Sequence, residues 1–514
     1  MSVAEIRALL RIRLLQLAAL AGLLVAIGVM ALRLKYFVID SDIWWHLKVG
    51  DWIVEHLAVP HTGILSRTAA NRPWVAYSWG YEVLLSRAYA WLGLVGIGVF
   101  GTLLTLAVAY AIFWMLRRLS GQFWAAWVGT GLVCLSFLFN GTPRPFFFSI
   151  ALFAVTLTLL LEASRSGRVQ MLYWLPLIFF VWANLHIQFI YGLFLVGLFI
   201  GVNLFQRVAS TMGITPGFLL SPTLPAGNLV AVGAGCFLAT LIGPYFYHPY
   251  LVVLEYSKAK FSYNVIIELQ PLSFRGYSHF IELLLTATGF FAVGWQARAK
   301  QEKQPQLELF KLALLTAATL VAYRTMRDAW FICLPAAAFV ADLFAPPIER
   351  DSPHAQPQRE WFEETGLEKA GVAVVVVVVL AILSKGTDFN QRGLDRAISA
   401  GYPVNAINFL RRNSVRGPLY NNLNWGGFLM WYMPDYPVAI DGRNDLYGDE
   451  LDKIFYDCQN AEKSYTTDPY LNESGVVLLD STLPLAKILT VDPRFQMVFH
   501  DEIATVFARK TGSP

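Results

Sequence analysis

Long apolar runs alternate with short polar turns over roughly the first three quarters of the chain. A helix that crosses the hydrocarbon core needs about 17–25 such residues, and it satisfies its backbone polar groups internally. The pattern predicts about eleven spans, beginning near Leu14, Leu92, Phe123, Phe146, Met171, Gln188, Leu229, Phe280, Leu307, Ala329 and Ala370. The fifth and sixth are separated only by a break around Asn184 and His186. The first run is long for a signal peptide, and no small-residue cleavage site follows it, which predicts an uncleaved anchor.

Basic residues at the ends of the runs set an orientation. Arg7, Arg11 and Arg13 precede the first run. Arg117, Arg118, Arg165, Arg168, Arg207, Arg298, Lys300, Lys303, Arg350 and Arg359 fall in alternate loops. This predicts an N-terminus inside, and an odd number of spans then puts the C-terminus outside. Two inner stretches, 210–227 and 346–369, read as linkers rich in Pro and polar residues. Three outer stretches remain: about 36–90, 243–278 and everything from Lys385.

The last stretch changes period. "VNAINFLRR" from Val404 has helical spacing, "YPVAID" from Tyr436 and "GVVLLD" from Gly475 read as strands, and "DELDKIFYDC" and "LPLAKIL" read as helices. "FQMVFHD" and "IATVFAR" read as a closing hairpin. The predicted fold is an α-helical polytopic membrane protein with a C-terminal extracytoplasmic α/β domain. Its membrane domain is 1–384, with amphipathic helices in the loop 36–90, and its outer domain is 385–514.

Composition supports this. The chain is 56% hydrophobic and 15% charged, which excludes an ordinary soluble domain. The net charge is only +4, with the basic residues at span ends, which argues against a nucleic-acid partner. Cys134, Cys236, Cys333 and Cys458 form no CxxC pair, so neither a zinc site nor a disulfide framework is expected. The Gly96, Gly98, Gly101 spacing matches a dinucleotide-binding pattern but lies in a span with no preceding strand, and reads as helix packing.

The chemistry gathers on the outer side. "IDSDIWWHLKVGDW" follows the first span and places Asp40 and Asp42 beside Trp44, Trp45 and His46. Paired carboxylates suit a general base or a divalent cation such as Mg or Mn. A solvated helix cap followed by an aromatic interface belt is the plainer alternative. Arg144, Arg324 and Arg327 lie on the side that the orientation rule leaves poor in cations. Guanidinium forks suit phosphate, whereas snorkelling, or pairing with Asp328 or Glu268, is the structural alternative. His186 and Glu268 are further candidates, against a packing histidine and a solvated loop acid. In the tail, Asn422, Asn424, Trp425, Asp441 and Arg443 stand in a dense polar and aromatic group with glycines that permit close backbone approach. They read as an acceptor surface for sugar or peptide, or as turn chemistry.

Together these features resemble the GT-C superfamily of membrane glycosyltransferases: many spans, an acidic pair in the first outer loop and an outer terminal domain. The resemblance implies a polyprenyl-phosphate-linked sugar donor and action at the outer face of the cytoplasmic membrane. It gives Asp40 and Asp42 the place of the acidic loop motif, as catalytic base or metal ligands, with Glu268 as a further acid or base. Arg144, Arg324 and Arg327 would then bind donor phosphate, with His46 and His186 beside the site. Asn422, Asn424, Trp425, Asp441 and Arg443 would bind a glycan, lipid or protein acceptor. A second likeness is to oligosaccharyltransferase catalytic subunits, through "AINFLRRNSVRGPLYNNLNWGGFLMW". The motif departs from that family in having Asn424, Gly426 and Gly427 around Trp425 and no acidic residue at its core. An O-antigen ligase or polymerase-like enzyme shares this chemistry. A non-catalytic scaffold with an outer binding domain is the rival class. A transporter would show two related halves with midplane charges, and neither is visible.

Overall fold

The computed structural model describes residues 3–138, 142–213, 224–299, 308–345, 365–413, 415 and 417–510. Much of both predicted linkers falls outside these residues, as do Lys300, Lys303, Leu307, Arg350 and Arg359. An apolar helix stands at or beside each predicted span start: Val3–Leu34, Leu94–Ser120, Phe123–Val133, Phe146–Ser166, Leu175–Leu185, Phe189–Thr211, Ala226–Thr240, Tyr277–Ala299, Leu309–Arg324, Trp330–Leu343 and Gly366–Ser384. Six helical segments among the described residues are long and apolar enough to cross a membrane. Phe123–Leu138, Val169–Leu185 and Ala226–Thr240 are apolar but shorter. This is a membrane protein.

The chain divides into two compact units, 1–33 with 102–243 and 268–387, and 34–101 with 244–267 and 388–514. The first unit holds most of the apolar helices. Trp182, Trp330, Phe147, Phe153 and Phe179 are fully buried in it. A Cβ on Gly289 would lie 2.8 Å from that of Ala336, so helices Tyr277–Ala299 and Trp330–Leu343 approach closely there. Arg13 grips Glu368 through two bonds of 2.7 Å, tying the first helix to the last.

The second unit folds the tail together with most of two long loops. Its sheet contains β1 (Leu419–Asn421), β2 (Val476–Asp480), β3 (Phe495–His500) and β4 (Ala504–Arg509), in the order β1-β2-β4-β3. β1 and β2 are parallel, and the expected hairpin is β3–β4. Val476, Val477, Leu478 and Leu479 are all buried, which is why β2 reads as a continuous apolar run.

"YPVAID" is not a strand of this sheet. Val438 makes one isolated bridge, to Ser66. Its neighbours' backbone groups are satisfied elsewhere: Ala439 N–H donates to Asn421 Oδ1 at 2.8 Å, and Ile440 C=O accepts from Asn421 Nδ2 at 2.8 Å. The side chain of Asn421 does for this segment what a neighbouring strand would have done.

The loops join the same body. Asp449 accepts the N–H groups of Phe261 and Ser262 at 2.8 and 3.2 Å, capping the short helix Phe261–Val265. Tyr245 O–H donates to Pro60 C=O at 2.6 Å.

Candidate active site

Asp40 and Asp42 open the helix Ser41–His56. Asp40 is its N-cap, and its Oδ1 accepts the Asp42 N–H at 3.0 Å. Asp40 is 8% exposed. Asp42 sits in the first turn, where a carboxylate complements the helix dipole, and is half-buried.

The aromatic residues that follow are not an interface belt. Trp44, Trp45 and His46 are buried inside the unit. Trp44 packs edge-on against Tyr402, Phe428 and Tyr432. Trp45 lies over His46, with ring centroids 3.5 Å apart. Burial against protein aromatics removes their surface from the choice between water and lipid.

His46 reaches the second loop helix, Trp79–Leu92. Its Nδ1 is 3.1 Å from Glu82 Oε1. A Cβ on Gly50 would lie 2.0 Å from Glu82 C=O, so glycine is what lets the two helices come this close. Glu82 is 1% exposed, and its Oε2 is buried without a hydrogen-bond partner. Burial, with Asp445 adding to it and Arg443 opposing it, pushes the Glu82 carboxyl well above the usual range.

The tail supplies the rest. Arg443 and Asp441 are both 0% exposed. Arg443 donates from Nε to Asp441 Oδ1 at 2.8 Å and from Nη2 to Oδ2 at 2.7 Å. Tyr447 O–H donates to Asp441 Oδ2 at 2.7 Å. Arg443 also lies 4.8 Å over the Trp74 ring, whose Nε1–H donates to Asp445 Oδ2 at 2.9 Å. Burial pushes Asp445 up to about 6, against the lowering effect of the Trp74 N–H and Arg443. Burial alone would lower the Arg443 guanidinium, but Asp441 overrides this and holds it above its ordinary value.

Asp452 is a second buried acid in this unit, 4% exposed, with neither oxygen hydrogen-bonded. Burial and the charges of Asp449, Asp441 and Asp445 push it up to about 8, against Arg72. The unfolded carboxyl ionises near 3.8, so across the interval up to about 8 the unfolded chain holds fewer protons than the folded one. Stability is therefore expected to fall as pH rises through that interval. Asp452→Asn removes this part of the decline. Thermal midpoints at about pH 5 and about pH 8 check it, and an unchanged difference between wild type and variant would refute the assignment.

In the first unit, Arg144 Nη1 and Arg327 Nη1 each lie 3.5 Å from Glu268 Oε1. The pairing alternative is thus realised at Glu268. Asp328 is held instead by Gln188 Nε2 at 3.1 Å and Thr325 Oγ1 at 2.7 Å. Arg324 is exposed in the last turn of its helix. His186 is buried, with Nδ1 2.9 Å from Ser149 Oγ. Ser149 Oγ also accepts the Trp182 indole N–H at 2.7 Å.

Of the expected acceptor residues, Asn424 is exposed. Asn422 accepts the Asn424 N–H at 2.8 Å, and Trp425 is 4% exposed. Glu82, from the Trp-, His- and acid-rich first outer loop, and Asn421, Asp445 and Tyr447, from the dense polar group of the tail, join the constellation, although the sequence assigns none of them a role of its own. Among the described residues no three His, Cys, Asp or Glu side chains converge as a metal site. Asp40 Oδ1 serves the helix cap, so an Mg or Mn ion at the expected place would rely on the carboxylates of Asp40 and Asp42 without a third such side chain among the described residues.

No family model matches the chain, and no curated protein does. Solved structures do. The Archaeoglobus fulgidus oligosaccharyltransferase, tethered to an acceptor peptide containing an NVT sequon, matches at TM-score 0.50 and 11% identity, over 89% of this chain and 68% of that one. Its apo form matches at TM-score 0.50 and 12% identity. ArnT from Cupriavidus metallidurans, bound to undecaprenyl phosphate, matches at TM-score 0.44 and 14% identity, over 96% and 98% of the two chains. The likeness to the oligosaccharyltransferase is one of fold alone.

Proposed function

We propose that the protein is a GT-C glycosyltransferase that moves a sugar from a polyprenyl-phosphate donor to an acceptor at the outer face of the cytoplasmic membrane. The observation that supports this best is the half-buried carboxylate of Asp42 directly after the first apolar helix, in a chain with the fold of an oligosaccharyltransferase. Asp42 takes the proton of the acceptor hydroxyl as that oxygen bonds to the anomeric carbon. The bond from that carbon to the phosphate oxygen breaks, and polyprenyl phosphate leaves. Arg144 and Arg327, with Arg324 nearby in sequence, hold the phosphate and stabilise the charge it gains. Glu268 keeps the two guanidiniums together before the donor arrives. Asn424 and the neighbouring tail edge meet the acceptor, while Asp441 and Arg443 hold that edge in shape.

The test is sugar release from a panel of labelled polyprenyl-phosphate sugars by purified protein in lipid. Turnover with at least one donor is expected. Arg327→Ala should raise the donor KM by about 10–100-fold, the worth of one charged hydrogen-bond donor. Absence of turnover with every donor and in every lipid would favour the scaffold reading. A donor KM unmoved by Arg327→Ala would remove the phosphate from that arginine.

A further inference from the structure

The segment 440–443 lies against the loop carboxylate. A Cβ built on Gly442 would stand 2.2 Å from Asp42 Oδ1 and 3.3 Å from Trp45 Nε1. Gly442 does not have a positive φ, so its backbone conformation makes no demand for glycine. Space does.

The segment has little freedom to retreat. Asn421 holds the backbone of Ala439 and Ile440 through bonds of 2.8 Å. The Asp441 side chain accepts both the N–H and the guanidinium of Arg443. Behind it, a Cβ on Gly426 would lie 2.1 Å from Ile440 C=O and 2.5 Å from Asp441 Cα, so the helix Gly426–Tyr432 is pressed against the same backbone. Trp45 is equally fixed: it is 7% exposed and lies at a tilt over His46. Asp42 meets the contact with Oδ1, an atom at the end of a short side chain, and is half-buried.

We propose that Gly442 is a positioning residue for Asp42. The tail forms a fixed backing that sets where the loop carboxylate stands, and the absence of a side chain at 442 is what lets it stand there. This rests on the reading of Asp42 as the base, but the contact has a consequence that does not depend on catalysis. An alanine at 442 displaces the carboxylate and leaves the fold in place.

Two measurements on the full-length protein test it. The first is carbodiimide-driven amine labelling of Asp42, read by peptide mass spectrometry, for wild type and Gly442→Ala. A several-fold change in the labelling rate, with an unchanged thermal midpoint, is expected. Equal rates, or a collapsed midpoint, would overturn the proposal whether or not any sugar is transferred. The second is a double-mutant cycle in the donor assay. Gly442→Ala should lower kcat by about 100-fold, as a misplacement of about 1 Å does, with donor KM unmoved. In the Asp42→Asn background it should cost nothing further. An additive loss there, or wild-type kcat in the single variant, would overturn the positioning role. A wild type without turnover would remove the proposed function and leave the labelling result to decide the inference.

Discussion

Asp42→Asn is expected to lower kcat for sugar transfer by about 10²–10⁴-fold, the usual worth of a general base. The substitution keeps shape and volume and removes the negative charge and with it the ability to accept a proton. Its structural cost is small. Asp42 sits in the first turn of Ser41–His56, where losing a carboxylate forfeits about 0.3–1 kcal/mol of helix-dipole interaction. The helix cap belongs to Asp40, which is untouched. Donor KM should stay where it is, because the phosphate is assigned to arginines. A variant that folds, binds donor and does not turn over would therefore separate chemistry from binding. Turnover within a few-fold of wild type would end the assignment of Asp42 as base and make the pair a helix cap.

The spans were legible because apolar runs of that length have few other uses. β2 was legible as a continuous apolar run of strand length, and the β3–β4 hairpin as two short apolar segments about a polar turn. What the sequence hid was of two kinds. "YPVAID" has strand composition but takes its hydrogen bonds from the side chain of Asn421 and from the loop, and no periodicity reports a side chain standing in for a strand. The assembly of Glu82, His46, Asp445 and Arg443 joins residues hundreds of positions apart, and only the chain's return brings them together. Trp44 and Trp45 showed the same limit. A tryptophan beside a span end is equally suited to a lipid interface and to a protein core, and the partners Phe428, Tyr402 and Trp74 that decide it are remote in sequence. The glycines were readable as close-approach positions. Which backbone approached was not.

Arg443→Met should destabilise the second unit by about 3–5 kcal/mol, seen as a lower thermal midpoint and faster proteolysis of the tail in the full-length protein. The residue is fully buried with Asp441, so the pair gains little over apolar residues of the same volume. Breaking it is another matter. Methionine leaves Asp441 with the Tyr447 hydroxyl and the backbone N–H of residue 443 but without the guanidinium, takes the charge from beside the Trp74 ring and frees the Ile64 C=O, which accepts from Arg443 at 3.0 Å. It also removes a charge that lowers Glu82 and, less than the Trp74 and backbone N–H groups do, Asp445, so both hold their protons more tightly. The sign of the next substitution is then fixed. Adding Asp441→Leu to Arg443→Met removes the stranded charge and should recover part of the loss, so the double variant is more stable than the single. If it is less stable, the pair contributes attraction beyond its own desolvation, and the tail owes its shape to the ion pair itself.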